Sequence, residues 1–338
     1  MDQKLIRRIS WASSLALILT LPLPAAAQDR IRVGLSSVSA TNGSVWVAEE
    51  KGLFKKYGID AEVIVIGGGG SRVVGSLIAG ELQFSIGGGE GSLRAQMKGA
   101  DVVIAASTFT QGVQRILARP EIKTPRDLKG KRVGITRFGS AAHLVLQLML
   151  RKWNMTPDDV QILQVGSSPA MMASLDKGGI DAAVLTMPTF FLAEEKGFRV
   201  LGDPVGMDIF YLQNTLETSR GFIRRNRDQA LRFMKGYIEG IAYFKKHKAE
   251  SIGVLRKKLR IQSEQERDSR YLDLSYNLLA AKLYKEIPYP SIQAVQTVLD
   301  FIAPEDAKHK SLDPKSFVED GLVRELDENG FIKALYGN

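Results

Sequence analysis

The chain repeats itself. Arg32-Val33-Gly34-Leu35 returns as Arg132-Val133-Gly134-Ile135, and Val63-Ile64-Val65-Ile66-Gly67 returns as Ile162-Leu163-Gln164-Val165-Gly166. The stretch from Ser76 to Ile86 is echoed from Ser174 to Val184, so three echoes keep their order at offsets of 100, 99 and 98 residues. Stacked repeats have periods of roughly 20–50 residues, so a period this long makes each copy a lobe rather than a stacked unit. At 338 residues the chain is also long enough for two cores.

Each copy reads as strand, helix, strand, helix, strand. In the first copy the apolar runs Ile31 to Ser36, Ala61 to Ile66 and Phe84 to Ile86 read as strands, separated by helical patterns over Ser44 to Lys55 and Ser71 to Ala79. The second copy gives strands at Arg132 to Thr136, Val160 to Val165 and Ala182 to Leu185, with helices over Ser140 to Trp153 and Pro169 to Lys177. This alternation predicts an α/β protein with a mostly parallel sheet flanked by helices in each lobe. Amphipathic helices are predicted after the second copy: Asn226 to Lys248 with Asn226 as cap, Ser263 to Tyr284 with Ser263 and Glu266 as a capping box, Ser291 to Ile302, and Pro314 to Leu326 behind Asp313. They are expected to complete the first lobe, with Asp203 to Asn214 as the return crossover.

The first 27 residues stand apart. Lys4, Arg7 and Arg8 precede an apolar stretch from Ile9 to Leu23 and a small-residue site at Ala25-Ala26-Ala27, which is the layout of a cleaved signal peptide. The expected organisation is therefore signal peptide 1–27, lobe I from 28–114 plus 208–338, and lobe II from 115–207, in an exported, periplasmic monomer. Removing the leader lowers the net charge from +9 to +7. A basic balance suits nucleic acid, an anionic membrane or an anionic small ligand, and export argues against nucleic acid. The run Arg256-Lys257-Lys258-Leu259-Arg260 reads as a solvated helix end. With no cysteine, thiolate metal sites, iron–sulfur clusters and thiol nucleophiles are excluded.

Ligands of such sheets bind where strands end and helices begin. Five segments fall there. The first, Ser36 to Ser44, carries Asn42 and Ser44; the second is the run Gly67 to Gly70 with Ser71 and Arg72, whose glycine backbone can approach an anion or carbonyl closely or can simply turn. That run has no Lys-Ser/Thr at phosphate-loop spacing, so it is a poor nucleotide loop. In the third, Gly87 to Ser92, Gly89 precedes Glu90, which reads either as a carboxylate for an amine or heteroaromatic donor or as a helix-start acid. The fourth holds Arg137, Gly139 and Ser140: an anion clamp or an exposed cation, followed by an N-cap. The fifth offers Thr186 and Pro188 ahead of Phe190 and Phe191, whose rings fit a core. No catalytic set or metal site emerges. His143, His247 and His309 have no Ser or carboxylate at triad spacing, and no cofactor is expected.

Four stretches now carry a family pattern: Val47 to Ile59 (Val-Ala-Glu-Glu-Lys-Gly-Leu-Phe-Lys-Lys-Tyr-Gly-Ile), Leu77 to Gln83, Leu128 to Gly134, and Ile180 to Pro188. The chain resembles the periplasmic substrate-binding proteins of ABC importers, in the nitrate/sulfonate/taurine and thiamine-precursor-like family. It departs at Gln83, where the family usually has Asp. The resemblance implies a type II periplasmic-binding-protein fold with a hinge between two lobes, a small polar ligand of sulfonate, nitrate or carboxylate type, and delivery to an ABC permease. By motif position it carries ligand contact to Ser44, Ser71, Glu90, Gly139, Ser140, Thr186 and Pro188. An exported enzyme or a ligand-sensing subunit using the same cleft are the alternatives. Thiamine-pyrimidine synthases related to the family depend on a cysteine-rich motif that this chain lacks.

Overall fold

A computed structural model describes residues 28–207, 209–261, 266–302 and 312–337. The expected leader, Ser263 of the expected capping box, and His309 lie outside these residues. Among the described residues the strands in chain order are β1 (Asp29–Leu35), β2 (Ile59–Val65), β3 (Phe84–Gly87), β4 (Val103–Ser107), β5 (Arg115–Ala118), β6 (Arg132–Ile135), β7 (Gln161–Gln164), β8 (Ala182–Leu185), β9 (Arg199–Gly202) and β10 (Thr215–Thr218). They form two five-stranded sheets, ordered β2-β1-β3-β10-β4 and β7-β6-β8-β5-β9. Advancing β1 to β4 by five labels and exchanging β10 for β5 turns one order into the other. The sequence repeat is thus a repeat of sheet order.

In each sheet the first three strands run parallel and one strand runs against its neighbours: β10 lies antiparallel to β3 and β4, and β5 antiparallel to β8 and β9. The antiparallel strand is in both cases the one that follows a change of sheet. Residues 108–114 carry the chain out of the first sheet, and residues 209–214 bring it back alongside them. Tyr211 N donates to Thr110 O at 2.9 Å, and a single antiparallel bridge joins Gln111 to Phe210. The return crossover thus falls within the expected Asp203 to Asn214 segment.

The helices are α1 (Gly43–Glu50), α2 (Leu53–Lys56), α3 (Gly70–Ile78), α4 (Glu90–Met97), α5 (Ala141–Lys152), α6 (Ser168–Asp176), α7 (Thr189–Glu195), α8 (Arg220–Arg225), α9 (Arg227–Lys246), α10 (Lys248–Lys258), α11 (Glu266–Asn277), α12 (Ile292–Ile302), α13 (Gly321–Glu328) and α14 (Phe331–Tyr336). Three expectations need correction. The single helix expected over Ser44 to Lys55 is broken at Gly52, whose φ of 66° is left-handed. The one expected over Pro314 to Leu326 is a 3₁₀ turn, Pro314–Phe317, followed by α13; between them Val318 bridges Ile104 and adds an extended residue to the first sheet. Asn226 occupies the cap position of α9, but its Nδ2 donates backward to Phe222 O instead of capping forward.

The repeated Arg-Val-Gly has a packing cause. A Cβ on Gly34 would sit 2.4 Å from Leu82 Cδ1 and 2.7 Å from Val73 Cγ2, and one on Gly134 would sit 2.6 Å from Ile180 Cδ1. Each glycine lets the helix that follows the neighbouring strand press on its sheet. The residue before the next strand repeats its role as well: Gln83 Oε1 accepts from Arg32 N at 2.8 Å, and Asp181 Oδ2 accepts from Arg132 N at 2.9 Å. Gln83 therefore does at the start of β3 what Asp181 does at the start of β8, at the opposite end of the strand from the ligand loops.

The long helix α9 lies against α1 and α2, and two of its residues make that approach possible. A Cβ on Gly240 would stand 2.6 Å from Ser44 O, and one on Gly236 would stand 3.1 Å from Phe54 Cα. At Gly240 the nearest obstruction is backbone, which cannot rotate away; at Gly236 the Phe54 ring comes nearer still, with Cδ1 at 2.7 Å. Gly240→Val is expected to destabilise the fold by about 1–3 kcal/mol through overpacking, measured as a lower urea midpoint at unchanged slope.

Candidate functional site

The carboxyl ends of β1, β2 and β3 face those of β6, β7 and β8 across a cleft of about 1230 Å³. Five of the expected residues line it: Gly70, Arg137, Ser140, Thr186 and Pro188. Ser71 and Gly139 meet each other from opposite lobes, Ser71 Oγ donating to Gly139 O at 3.2 Å. Two further contacts cross the gap: Arg137 Nη1 donates to Gly68 O at 3.4 Å, and the hydroxyls of Ser39 and Thr186 lie 3.2 Å apart. Ser140 caps α5, accepting from His143 N, while its own hydroxyl donates to Arg137 O. It holds the Arg137 loop as well as facing the cavity.

Asn42, Ser44, Gly89 and Glu90 are not on the cleft wall. Asn42 is buried, and its Nδ2 donates to Ser37 O at 2.8 Å, folding the loop that does line the cleft. Ser44 is enclosed in the first turn of α1, where its backbone N–H donates to Tyr284 Oη at 3.2 Å. Gly89 N donates to Leu212 O at 2.9 Å, tying the third loop to the return crossover. Glu90 lies beneath the wall: a Cβ on Gly70 or Gly88, both of which line the cleft, would come within 3.0 or 2.3 Å of its carboxyl oxygens. All four lie near strand ends, but the side chains of Asn42, Ser44 and Glu90 turn inward, away from the cleft.

Glu90 belongs to a buried polar group with the crossover. Tyr211 Oη donates to Glu90 Oε2, while Oε1 is without a hydrogen-bond partner among the described residues. Burial pushes the Glu90 carboxyl up to about 7, with the Tyr211 hydrogen bond and Arg94 opposing. On β10, burial pushes Glu217 up to about 8, although the hydroxyls of Ser85 and Thr215 both donate to it. Both groups keep a proton in the folded chain that the unfolded chain loses from about pH 4.5 upward. Their contribution to stability is therefore fully present at and below that pH and is lost as pH rises toward 7 and 8. The slope is ~1.4 kcal/mol per pH unit for each group held protonated only in the folded state. Glu217→Gln, which has no proton to lose, is expected to flatten the fall in melting temperature between pH 5 and pH 8, and an unchanged slope would assign that fall to other groups.

Three sets of cleft residues were given no ligand role by the sequence reading, although Arg72 closes its second segment. Arg72 is one: a Cβ on Gly68 would lie 2.9 Å from Arg72 Cδ and 3.3 Å from Arg137 Nη1, so arginines from opposite lobes converge on one glycine. A cation in the first turn of α3 runs against the helix dipole, and that mismatch was the available signal. Gln114 and Gln213 are another pair, one on each crossover and both lining the cleft. Leu259, Ile261 and Tyr271, from the end of α10 and from α11, are the third. They lie far from the repeat in sequence, and nothing local marks them. His143 takes no part in chemistry of the triad kind, since its Nδ1 accepts from Gly139 N at 3.1 Å and burial pushes its pKa down. Among the described residues no group of three or more His, Asp or Glu side chains is arranged to hold a metal ion.

Two sheets of this order, linked by two adjacent crossovers around a polar cleft, define the periplasmic-binding-protein fold. Residues 41–251 match the family model described as NMT1/THI5 like, and the chain belongs to that family. A protein of Brucella abortus (strain 2308) named as a binding protein is 35% identical over 183 residues, covering 54% of this chain and 56% of the relative. The chain thus spans about half the length of the curated relatives of this group. The alkanesulfonate-binding protein SsuA from Xanthomonas axonopodis pv. citri, bound to MOPS, superposes with a TM-score of 0.71 at 20% identity, over 88% of this chain and 100% of that one. The desulfurization enzyme DszB also shares the fold, with a TM-score of 0.61 at 14% identity over 89% of this chain and 99% of its own.

Proposed function

We propose that this chain is an exported solute-binding protein that captures a small organic anion, of sulfonate or carboxylate type, between its lobes and delivers it to an ABC permease. Residues 1–27 are its leader, lobe I is 28–114 with 208–338, and lobe II is 115–207. The observation that carries the reading is the convergence of Arg72 and Arg137 on the Gly68 backbone from opposite sides of the cleft. A guanidinium pair beside a glycine loop suits an oxyanion, which can be held from both sides at once. The start of α3 at Gly69, which carries no capping side chain, adds backbone N–H groups of the same preference. The relatives named as binding proteins support a receptor, and the alkanesulfonate-binding protein from Xanthomonas, bound to MOPS, favours the same ligand class.

Closure follows from that arrangement. A ligand touching Arg72 on one lobe and Arg137 on the other binds the closed form better than the open one, and that difference is what shifts the population. The contacts Ser71 to Gly139, Arg137 to Gly68 and Ser39 to Thr186 are the protein's own share of the closed state.

A thermal-shift screen of the purified protein against sulfonates, carboxylates, nitrate, amino sulfonates and pyrimidines tests the class. A ligand at 1,000 times its Kd adds ~4 kcal/mol to the folded state. Arg137→Ala is expected to weaken the anion hit by at least about tenfold, in line with the loss of a charge-assisted hydrogen bond. Ser140→Arg is expected to block binding while the protein stays folded, at about 1 kcal/mol for the lost cap. Unchanged affinity in Ser140→Arg would remove the ligand from this cleft. Release of a product from the bound hit would replace the receptor by an enzyme of DszB-like fold.

A further inference from the structure

Among the described residues, the charged side chains that line the cleft are Arg72 and Arg137, both cations. No Asp or Glu joins them, since the Glu90 carboxyl lies beneath the wall. At about 1230 Å³ the cavity holds much more than one acidic group. Much of the wall beyond the arginines is primary amide and hydroxyl: Gln114, Gln164 and Gln213 line it, together with Ser39, Ser167 and Ser168.

The partners of these groups decide what each has left to offer. Gln114 Oε1 accepts from Val113 N and Gln164 Oε1 from Phe138 N, both at 3.3 Å, so each amide is turned with its NH₂ group left to donate. Ser167 Oγ accepts from Ala170 N at 3.4 Å and Ser168 Oγ from Thr186 N at 3.1 Å, which leaves each O–H as a donor. Gln213 is the reverse. It is 7% exposed, and its Oε1 is buried with no hydrogen-bond partner among the described residues. The crossover holds it there, its N–H donating to Tyr211 O at 2.9 Å. A desolvated acceptor left unpaired destabilises the fold, so a buried oxygen of this kind in a cleft wall calls for a donor from outside the chain.

Three kinds of ligand body are separated by this wall. An alkyl chain would cover the amides and leave them unpaired. An ammonium group would meet two arginines and no carboxylate. A hydroxyl both donates and accepts, and so satisfies Gln213 Oε1 as well as the amide N–H groups of Gln114 and Gln164. Resting on the reading of the cleft as an anion site, we propose that the cargo is a hydroxylated organic anion, of the sugar-acid or hydroxyalkanesulfonate class, and that Gln213 sets specificity for it. The acidic group lies between Arg72 and Arg137, one hydroxyl donates to Gln213 Oε1, and others accept from Gln114 and Gln164. The C–H edges of the same body meet Val38 and Leu259, which also line the cleft. A site built to bond a hydroxyl rejects the analogue without it far more strongly than a pocket rejects one methylene.

The test is a calorimetric titration of the purified full chain with probes matched in carbon number: gluconate against hexanoate, and isethionate against ethanesulfonate and the zwitterion taurine. In at least one series the hydroxylated probe is expected to bind at least about tenfold more tightly than its partners. Gln213→Met, which keeps the side-chain length and removes the acceptor, is expected to weaken that probe about tenfold and to leave its deoxy partner unchanged. Gln114→Met is expected to do the same from the other crossover, which keeps the test open if the first variant does not fold. Deoxy or amino partners that bind as tightly in both series, or variants that weaken both members of a pair alike, overturn the hydroxylated cargo and leave the anion site standing. Equal binding of glucitol, which has the hydroxyls without the acid, overturns the anion reading and this inference with it. Failure of every probe, together with no response to nitrate, does the same.

Discussion

Residues 108–114 and 209–214 are held against each other, and the rest of the molecule is arranged around that contact. The Tyr211 to Thr110 hydrogen bond and the Gln111 to Phe210 bridge align the two crossovers. Because they are aligned, β5 enters the second sheet and β10 the first in the same relative place. The two crossovers also set Gln114 and Gln213 into the wall of the cleft. Asn214, with a left-handed φ of 53°, then anchors the returning strand by donating from Nδ2 to Thr41 O and Thr108 Oγ1. The link between the two sheets and part of the cleft wall are therefore built from one pair of backbone segments.

Polar groups are divided between two depths. Near the surface the cleft carries cations and hydroxyls around bare glycine backbone. One layer down, Glu90, Tyr211 and Glu217 form an acidic group whose carboxyls burial pushes up to about 7 and about 8. Were those carboxyls ionised, two negative charges would lie under the glycine loops and oppose an anion bound above them. Burial lessens that conflict, and its contribution to stability is lost as pH rises from about 4.5 toward 8.

The sequence made the two-lobed plan legible because its cause is repeated locally. Gly34 and Gly134 are required by the same close approach of a helix, and Gln83 and Asp181 by the same unpaired backbone N–H, so each leaves the same mark twice. Strand ends, and with them Arg137, Ser140, Thr186 and Pro188, followed from that plan. The inward turn of Asn42, Ser44 and Glu90 did not, since whether a loop residue points into the cleft or under it depends on packing from α9, Tyr284 and Tyr211, more than 100 residues away. Leu259, Ile261 and Tyr271 were illegible for the same reason: they reach the cleft through tertiary packing of helices that belong to neither copy of the repeat. The break of the first helix at Gly52 could have been read, as a glycine late in a helical pattern is a stop signal.

The two sheets differ in how their strands are drawn from the chain. All five strands of the second lie in one continuous stretch, residues 115 to 202, whereas the first lacks its fourth-place strand until residues 215–218 arrive. Between β3 and β4 there is a gap one strand wide, bordered by two open hydrogen-bonding edges, for as long as that segment is missing. In a chain made from its amino terminus, the half of the molecule nearer that terminus is therefore the last to be finished. Until then the edges of β3 and β4 are unpaired and open to foreign pairing, and they close when β10 slides in.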